Sequence, residues 1–444
     1  MLDAYQTEKS PFYRRRIIDA ILDELTPELP AISIEGARGV GKTETAARRA
    51  HTVFSLDDPA KAEVIANDPD QLGVAEGPVL VDEWQRVPVV WDWVRRAVDR
   101  GASPGQFLFT GSAPTRESPV HTGAGRIVRL RMRPMSFAER RPEHQSVFLR
   151  DLQQGRSEIR GHSPLGLPDY VDEIVRSGFP GVRHLDGRAR RARLDSFLDR
   201  IIEREFPDAG ITVRRPERLR EWLRAYAAAT GSTASFQTIL DAATPGIGDK
   251  PSRLTANSYR DALESLWLLD PVSPWAAPGG QFRAIRSQVK HYLADPALTA
   301  RLLLLDEDSL LAGATVHTLG PQEGTILGRL FEALVAQSLL VYADALESHL
   351  SFYRDPNGRR EIDFLLEGPG GSLLAFEVKL RATVSSADVK HLLWLKEEMG
   401  PRLTDTVVIT TGPTAYRRED GVAVVPLGCL GVDRDMALGP SPEN

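Results

Sequence analysis

The sequence predicts an α/β protein with three successive parts, and three observations support this. Short apolar runs alternate with helical stretches in the first third of the chain, which is typical of a parallel sheet buried on both faces. A mainly helical, arginine-rich stretch follows, and the last third again combines apolar strands with helices. At 444 residues the chain is too long for one typical core, so two or three domains are expected.

The predicted boundaries follow these changes of pattern. We expect a first α/β domain with a parallel sheet at residues 1–150, a helical middle domain at 165–315, an α/β C-terminal domain at 320–432 and a tail at 433–444. In the middle domain, a short helix, a Gly/Pro loop and a longer helix that ends near Leu268 fit a winged-helix unit. A plain helical lid fits the same pattern equally well.

Composition limits the functional classes. The net charge of −6 gives no global electrostatic basis for nucleic-acid binding, so any such binding needs a local patch. The single cysteine, Cys429, excludes an internal disulfide and a cysteine-rich zinc site. The sequence shows neither a signal-peptide pattern nor the ~18 uninterrupted apolar residues of a membrane helix. We therefore expect a cytoplasmic protein with no membrane segment.

The strongest motif follows the first apolar strand directly. Residues 36–43 match the phosphate-loop pattern G-x-x-x-x-G-K-[ST] in full, between a strand and a helical run. Glycines allow consecutive backbone N–H groups to point at phosphates, and the N-terminus of the next helix favours negative charge. Lys42 would contact the β- and γ-phosphates of ATP, and Thr43 would offer its hydroxyl to Mg²⁺. The predicted nucleotide contacts are Gly36, Ala37, Arg38, Gly39, Val40, Gly41, Lys42 and Thr43.

Polar residues that end two later strands complete the predicted site. Asp82 follows an apolar strand and would hold the water shell of Mg²⁺, while Glu83 would polarise the attacking water as general base. Another strand ends at Thr110-Gly111-Ser112, where Thr110 or Ser112 would sense the γ-phosphate. We take Ser112 as the catalytic candidate, with ordinary turn chemistry as the alternative.

At these residues the chain resembles the AAA+ superfamily of ATPases. It looks most like a bacterial and archaeal subgroup that joins the ATPase to a C-terminal domain of unknown function with a restriction-endonuclease-like motif. The resemblance spans roughly residues 13–428. Besides the phosphate loop and the acidic pair, its marks are Leu108-Phe109-Thr110-Gly111-Ser112, Gly125-Arg126, Arg133-Pro134-Met135-Ser136-Phe137-Ala138-Glu139, Ser177-Gly178-Phe179-Pro180, Lys290-His291-Tyr292 with Asp295, Gly328-Arg329-Leu330-Phe331-Glu332, Glu361-Ile362-Asp363-Phe364 and Phe376-Glu377-Val378-Lys379.

The chain departs from this subgroup at three marks. Gly39 stands where the subgroup usually has glutamine, Ser177 replaces the first glycine of a Gly-Gly-Phe-Pro mark, and Pro296 and Ala297 interrupt an Asp-x-Gly-Leu mark. None of these changes removes a phosphate ligand. The resemblance also implies that Arg126 completes the site of a neighbouring subunit in a homo-oligomer. A solvated arginine at the start of a basic strand face is the alternative.

A second constellation matches the D…(D/E)-x-K pattern of restriction-endonuclease-like folds. Asp363 and Glu377 lie on apolar strands that a hairpin would bring to one edge, and Lys379 shares the face of Glu377 because it is two positions away. The two carboxylates would hold a second Mg²⁺, with Glu332 as a further acid and Lys379 orienting the attacking water. An ordinary salt bridge of Glu377 with Lys379 or Arg359 is the alternative.

These motifs predict Mg²⁺-dependent ATP binding and hydrolysis coupled to work on nucleic acid, with DNA as the partner. The alternative is a regulatory ATP switch whose C-terminal domain binds protein partners and cuts nothing. The best local basic patch is an arginine run in the middle domain, although such a run is more often a solvated helix face. Its members are Arg188, Arg190, Arg191 and Arg193.

Overall fold

A computed structural model describes residues 13–112, 125–156, 158–208, 211, 213, 215–243, 253–276, 288–316, 318–319, 324–355 and 357–436. The chain divides into two compact units. The first contains Met1–Arg133, Glu203–Val213 and Asp261–Trp267, and the second contains Pro134–Ile202, Arg214–Arg260 and Leu268–Asn444. Most of the predicted middle domain is therefore grouped with the C-terminal sheet. The end of the predicted tail, residues 437–444, lies outside the described residues.

A five-stranded, fully parallel sheet forms the centre of the first unit. The strand order is β2-β3-β4-β1-β5, so β1 lies between β4 and β5. The residues of β1, β3 and β4 are buried, as expected for apolar strands covered by helices on both faces. The strands are β1 (Ala31–Glu35), β2 (Thr52–Ser55), β3 (Val79–Asp82), β4 (Phe107–Gly111) and β5 (Val128–Arg131).

Helices connect these strands, and one aromatic cluster fixes the segment after β3. Trp84 lies 4.5 Å from Trp91 between ring centroids, and Trp91 lies 5.4 Å from Phe109. The three rings are buried, so they anchor the turn that immediately follows Asp82 and Glu83. The helices are α1 (Ile17–Leu25), α2 (Lys42–Ala47), α3 (Pro59–Asn67), α4 (Gln71–Val74) and α5 (Val89–Asp99).

The second unit is built on an eight-stranded mixed sheet with the order β7-β13-β14-β12-β11-β10-β9-β8. Its central hairpin pairs two antiparallel strands with Phe364 opposite Phe376, and β11 then pairs in parallel with β12. The strands are β6 (Val147–Phe148, paired with β15), β7 (Gly161–His162), β8 (Ser273–Pro274), β9 (His349–Arg354), β10 (Glu361–Glu367), β11 (Leu373–Lys379), β12 (Leu403–Thr410), β13 (Thr414–Arg417), β14 (Ala423–Pro426) and β15 (Leu430–Gly431).

Helices pack against this sheet, and most residues of α17 (Ile326–Ala345) are buried. It has the length and apolarity of a membrane-spanning helix, but 78% of its most apolar stretch is buried inside the protein. The remaining helices of the chain are α6 (Phe137–Arg140), α7 (Leu149–Gln153), α8 (Leu167–Arg176), α9 (Pro180–Arg183), α10 (Gly187–Arg200), α11 (Phe206–Asp208), α12 (Pro216–Ala228), α13 (Phe236–Ala242), α14 (Arg253–Ser265), α15 (Pro296–Leu302), α16 (Glu307–Leu311), α17 (Ile326–Ala345) and α18 (Ser386–Met399). Of these, α11 and the end of α14 belong to the first unit.

The segment predicted as a winged helix or a helical lid contains α12, α13 and α14 in succession. Two antiparallel bridges follow, Leu269 with Leu293 and Val272 with Lys290. Three helices followed by an antiparallel pair is the element order of a winged helix. The winged-helix assignment itself stays a prediction.

A buried polar network explains several of the marks that carry no phosphate chemistry. Arg140 donates from Nε to the Met135 carbonyl at 2.6 Å and from Nη1 to the Glu173 carbonyl at 2.9 Å. Asp295 accepts from the Gly178 N–H at 2.7 Å. A Cβ on Gly178 would lie 2.5 Å from the Arg140 guanidinium, so only glycine fits there. These marks therefore join distant segments of the second unit.

Ser177 shows what the departure from the glycine mark costs. Its φ is +70° and its ψ is 156°, a region that glycine adopts freely and other residues rarely do. The Ser177 hydroxyl accepts a hydrogen bond from the Phe179 N–H at 3.1 Å. This bond offsets part of the backbone strain.

Candidate functional site

The phosphate loop connects the end of β1 to the start of α2, and glycine is required at its first position. Gly36, Gly39 and Gly41 have φ values of +155°, +81° and +105°. A Cβ on Gly36 would lie 2.1 Å from the Met132 carbonyl oxygen, which closes this position to every other residue. The loop thus curls as the motif predicts and leads into the first turn of α2 at Lys42.

Lys42 is buried in this loop, and the residue is 6% exposed. Its ammonium donates to the carbonyls of Gly36 at 2.9 Å and Ala37 at 3.0 Å, and lies 3.4 Å from the Ser112 hydroxyl. These three acceptors are neutral. Burial lowers the pKa of Lys42 to about 8, although the charges of Glu83, Asp82 and Glu205 oppose this shift. The ammonium is therefore desolvated without a full counter-charge.

Asp82 lies beside the loop, at the carboxyl end of β3. The Thr43 hydroxyl donates to Asp82 Oδ1 at 2.8 Å, and the Thr110 hydroxyl donates to the same oxygen. The carboxylate is buried, so both hydroxyls keep it fixed. The Thr43 hydroxyl and the Asp82 carboxylate offer oxygen atoms, which is the ligand type that magnesium prefers. Thr110 supports Asp82, whereas Ser112 faces Lys42.

Glu83 follows in a backbone conformation that is unusual for its residue type. Its φ is +54°, in the left-handed region, which costs roughly 1–3 kcal/mol and is common at functional sites. The Gln85 amide donates a hydrogen bond to Glu83 Oε2 and so fixes the carboxylate. A Cβ on Gly111 would approach Gln85 Oε1 to 2.6 Å. Gln85 follows the acidic pair two positions after Glu83 and is a further mark of the resemblance to the AAA+ subgroup, but its spacing alone predicts no role.

Two further charged residues belong to the first unit: Arg126, which the sequence predicted, and Glu205, which it did not. Arg126 donates from Nε to Asp99 Oδ1 at 2.8 Å and is about half exposed. Its action on a neighbouring subunit stays a prediction. Glu205, which is buried and raises the pKa of Lys42, comes from the segment Glu203–Val213. Sequence reasoning missed Glu205 because no motif connects it to a loop more than 150 positions away.

The second constellation is assembled on the hairpin of β10 and β11. Asp363 Oδ2 accepts from the Val378 N–H at 2.9 Å, and the Lys379 ammonium donates to Glu377 Oε1 at 2.6 Å. Burial, and after it the charge of Asp363, raise the pKa of Glu377 to about 8. Asp363, Glu377 and Lys379 therefore lie together at one end of the β10–β11 hairpin. The Glu377–Lys379 salt bridge, which is the alternative interpretation of these residues, is present as well.

Lys290 connects these residues to Glu332, a role that sequence reasoning did not assign. Its ammonium lies 2.9 Å from Glu332 Oε1, 3.1 Å from Asp363 Oδ1 and 3.4 Å from Glu361 Oε1. The side chain is fully buried, which lowers its pKa, but these carboxylates and Tyr292 raise it well above the usual lysine value. Among the described residues, no group of three or more His, Cys, Asp and Glu side chains is arranged to hold a metal ion.

The arginine run in the middle of the chain lies on α10. Arg190 is buried and forms ion pairs with Glu307 and Asp172. Since its charge is already paired inside the protein, Arg190 contributes to folding. The other three arginines of the run lie outside the core. They are Arg188, Arg191 and Arg193.

Comparisons with known proteins divide the chain into three matched regions. Residues 28–140 match the family model "AAA domain", residues 167–309 match a domain of unknown function (DUF8612), and residues 327–430 match another (DUF4143). Two mycobacterial relatives, from Mycobacterium tuberculosis and Mycobacterium bovis, are 26% identical over 423 residues. The match covers 93% of this chain and 83% of each relative, and both are uncharacterized proteins.

A solved structure, the Walker-type ATPase PABY2304 of Pyrococcus abyssi, is 15% identical and has a TM-score of 0.39. The similarity covers 68% of this chain and 99% of that one. The match of residues 28–140 agrees with the parallel sheet, the glycine-rich loop and the Asp82–Thr43 contact described above. The N-terminal part of this chain is therefore similar to the AAA domain family, both in sequence and in the order of strand, glycine-rich loop and helix.

Proposed function

We propose that the first unit binds ATP with Mg²⁺ and hydrolyses it. The observation that carries this proposal is the state of Lys42, whose buried ammonium contacts only neutral oxygens within the described chain. A buried cation without full neutralisation is costly, and phosphate oxygens would supply the missing charge. The N-terminus of α2 adds favourable dipole at the same place.

Each polar residue of the site has a role in this reaction. Lys42 binds the β- and γ-phosphates, while Thr43 and Asp82 would hold Mg²⁺, which neutralises charge on the phosphates when bound. Glu83 accepts a proton from the attacking water, and Gln85 orients the Glu83 carboxylate. Ser112, which faces the Lys42 ammonium, contacts the γ-phosphate. Arg126 acts in trans if the protein forms a homo-oligomer.

We further propose that ATP turnover is coupled to nucleic-acid binding, because positive charge gathers near the edge of the second constellation. The pKa of His391 is lowered by burial and then by the charges of Lys390 on α18, Lys379 on β11 and Arg360 in the segment before β10. Lys390 and Arg360 are exposed. Such a local basic surface binds phosphate backbones even in a chain with net negative charge. The alternative proposal, a regulatory ATP switch with a protein partner, makes no use of this surface.

Two measurements test these proposals separately. Calorimetry with Mg²⁺–ATP should show binding to the full chain, and EDTA should weaken it; equal heats with and without EDTA would contradict the magnesium role. For the second proposal, DNA should raise the ATPase rate. Replacement of Lys390 and Arg360 by alanine should then reduce DNA binding and its dependence on salt. An ATPase rate that is unaffected by any DNA would favour the regulatory switch.

A further inference from the structure

The acidic cluster of the second unit contains its own cation. Glu332 from α17 and the pair Glu361 and Asp363 from β10 all face one ammonium, that of Lys290, at 2.9–3.4 Å. Lys290 enters from the segment that pairs with Val272, so it belongs to a different element from each acid. Three carboxylates from two elements thus contact the same buried ammonium.

The surroundings of this ammonium are closed. Lys290 has 0% exposure, and its Nζ lies 5.9 Å from the centroid of Phe352 and 5.4 Å from that of Phe364. The Tyr292 hydroxyl donates to Glu332. Aromatic faces stabilise an ammonium through cation–π attraction but offer no lone pair to a metal.

These contacts do not fit a divalent metal. Mg²⁺ requires near-octahedral oxygen ligands and usually keeps several waters. At the point that Glu332, Glu361 and Asp363 share, the buried Lys290 ammonium is already present. Asp363 would be a ligand in the predicted second magnesium site, yet its Oδ1 lies 3.1 Å from Lys290 Nζ and its Oδ2 accepts from Val378 N–H. Both oxygens of this carboxylate are therefore engaged.

We propose that the Lys290 ammonium permanently occupies the cation position of this nuclease-like cluster, so that the second unit binds no divalent metal there and cleaves no phosphodiester bond. The cluster instead fixes α17 and the β10–β11 hairpin to the segment that carries Lys290. The basic surface around His391 then serves recognition alone. This inference stands apart from the ATP proposal, because it involves no residue of the phosphate loop.

The test is a measurement of Mn²⁺ binding by electron paramagnetic resonance, with the nucleotide site disabled by Asp82→Asn. This protein should bind no Mn²⁺ at the cluster. Adding Lys290→Met, which removes the charge and keeps the length of the side chain, should raise Mn²⁺ affinity by at least ~10-fold, because three carboxylates lose the cation that they share. A third change, Asp363→Asn, should remove the gained binding.

Two outcomes would overturn the proposal. The first is Mn²⁺ binding by the Asp82→Asn protein that disappears when Asp363→Asn is added. The second is a folded Lys290→Met protein whose Mn²⁺ affinity does not change. If Lys290→Met does not fold, two other measurements decide. They are Mn²⁺ binding by the Asp82→Asn protein and a cleavage assay of the wild-type chain on linear and forked DNA in Mg²⁺ or Mn²⁺. Cleavage that Asp363→Asn abolishes and Lys42→Ala retains would also overturn it.

Discussion

Two buried lysines in this protein lie beside strand-end carboxylates, and their surroundings shift their pKa values in opposite directions. Burial lowers the pKa of Lys42 to about 8 because its hydrogen bonds go to neutral oxygens, with carboxylates acting only at longer range. Lys290 is also buried, but direct contacts with three acids raise its pKa well above the usual value. The first lysine needs an anionic ligand, whereas the second already has its counter-charges.

This difference shows that a buried lysine near carboxylates has different chemistry when the protein itself supplies the counter-charge. At the phosphate loop, the Lys42 ammonium contacts backbone carbonyls, and Asp82 accepts from the hydroxyls of Thr43 and Thr110, so the two charged groups have separate neutral partners. At the β10–β11 hairpin, the positive and negative groups are already in contact.

The largest effect is expected from Lys42→Ala. ATP affinity should fall about 10³-fold, because the variant loses two charged hydrogen bonds of roughly 1.5–3 kcal/mol each. Calorimetry with Mg²⁺–ATP measures this change, and Lys396→Ala on the exposed face of α18 is the matched control. An unchanged affinity in Lys42→Ala would remove the distinction between the two lysines.

Glu83→Gln should separate ATP binding from hydrolysis. Turnover should fall by at least ~10²-fold, the low end for removal of a general base, while ATP affinity stays close to wild type. Gln85→Ala, which only frees the Glu83 carboxylate, should lower kcat by a smaller factor without changing ATP affinity. Steady-state phosphate release measures both variants. Turnover of Glu83→Gln near the wild-type rate would assign the base to another residue.

The pH dependence of stability tests whether the second region is as closed as its contacts indicate. Burial lowers the pKa of His291 to about 4, against an ordinary value of 6.5, although a hydrogen bond to the Ala234 carbonyl opposes this shift. Below pH 6.5 the unfolded chain binds a proton that the folded chain does not, so stability is lost as pH falls from 6.5 towards 4. At pH 5 this loss is about 2 kcal/mol relative to pH 8.

The measurement is urea unfolding of wild type and His291→Gln at pH 8 and pH 5. Between these pH values, the free energy of unfolding should fall by about 2 kcal/mol more in wild type than in the variant. The comparison between proteins cancels the titration of all other groups. Equal pH dependence would mean that the pKa of His291 is the same in the folded and the unfolded chain, which would contradict its burial.

The smallest expected effect is a gain of stability from Ser177→Gly. Glycine relieves the backbone strain at φ +70°, which is worth roughly 1–3 kcal/mol, and loses the 3.1 Å hydrogen bond from the Phe179 N–H. The net gain should be about 1 kcal/mol in the free energy of unfolding. Ser177→Ala, which loses the hydrogen bond and keeps the strain, should be less stable than wild type.

The sequence was sufficient where function depends on neighbouring residues and insufficient where it depends on distant ones. The loop at residues 36–43 and the position of Asp82 follow from local patterns, because strand, turn and helix are specified by consecutive residues. The convergence of Asp363 and Glu377 follows from a hairpin spacing.

Lys290 and Glu205 show where such reasoning stops. Lys290 was visible as part of a mark, and its spacing of two from Tyr292 indicates a shared strand face, but nothing local shows that this face meets Glu332. Glu205 carries no pattern at all, and only the tertiary fold brings its charge to Lys42. Counter-charges of this kind decide whether a cluster is a binding site, and they come from remote segments.

The most direct test of the contrast between the two regions is the number of Mn²⁺ ions bound per chain, counted by electron paramagnetic resonance on the Glu83→Gln protein with and without ATP. We predict no tightly bound ion without ATP and one with ATP. The ATP-dependent ion should be lost in Asp82→Asn and retained in Asp363→Asn. An ion that binds without ATP and disappears in Asp363→Asn, or the absence of any ion when ATP is bound, would contradict this account.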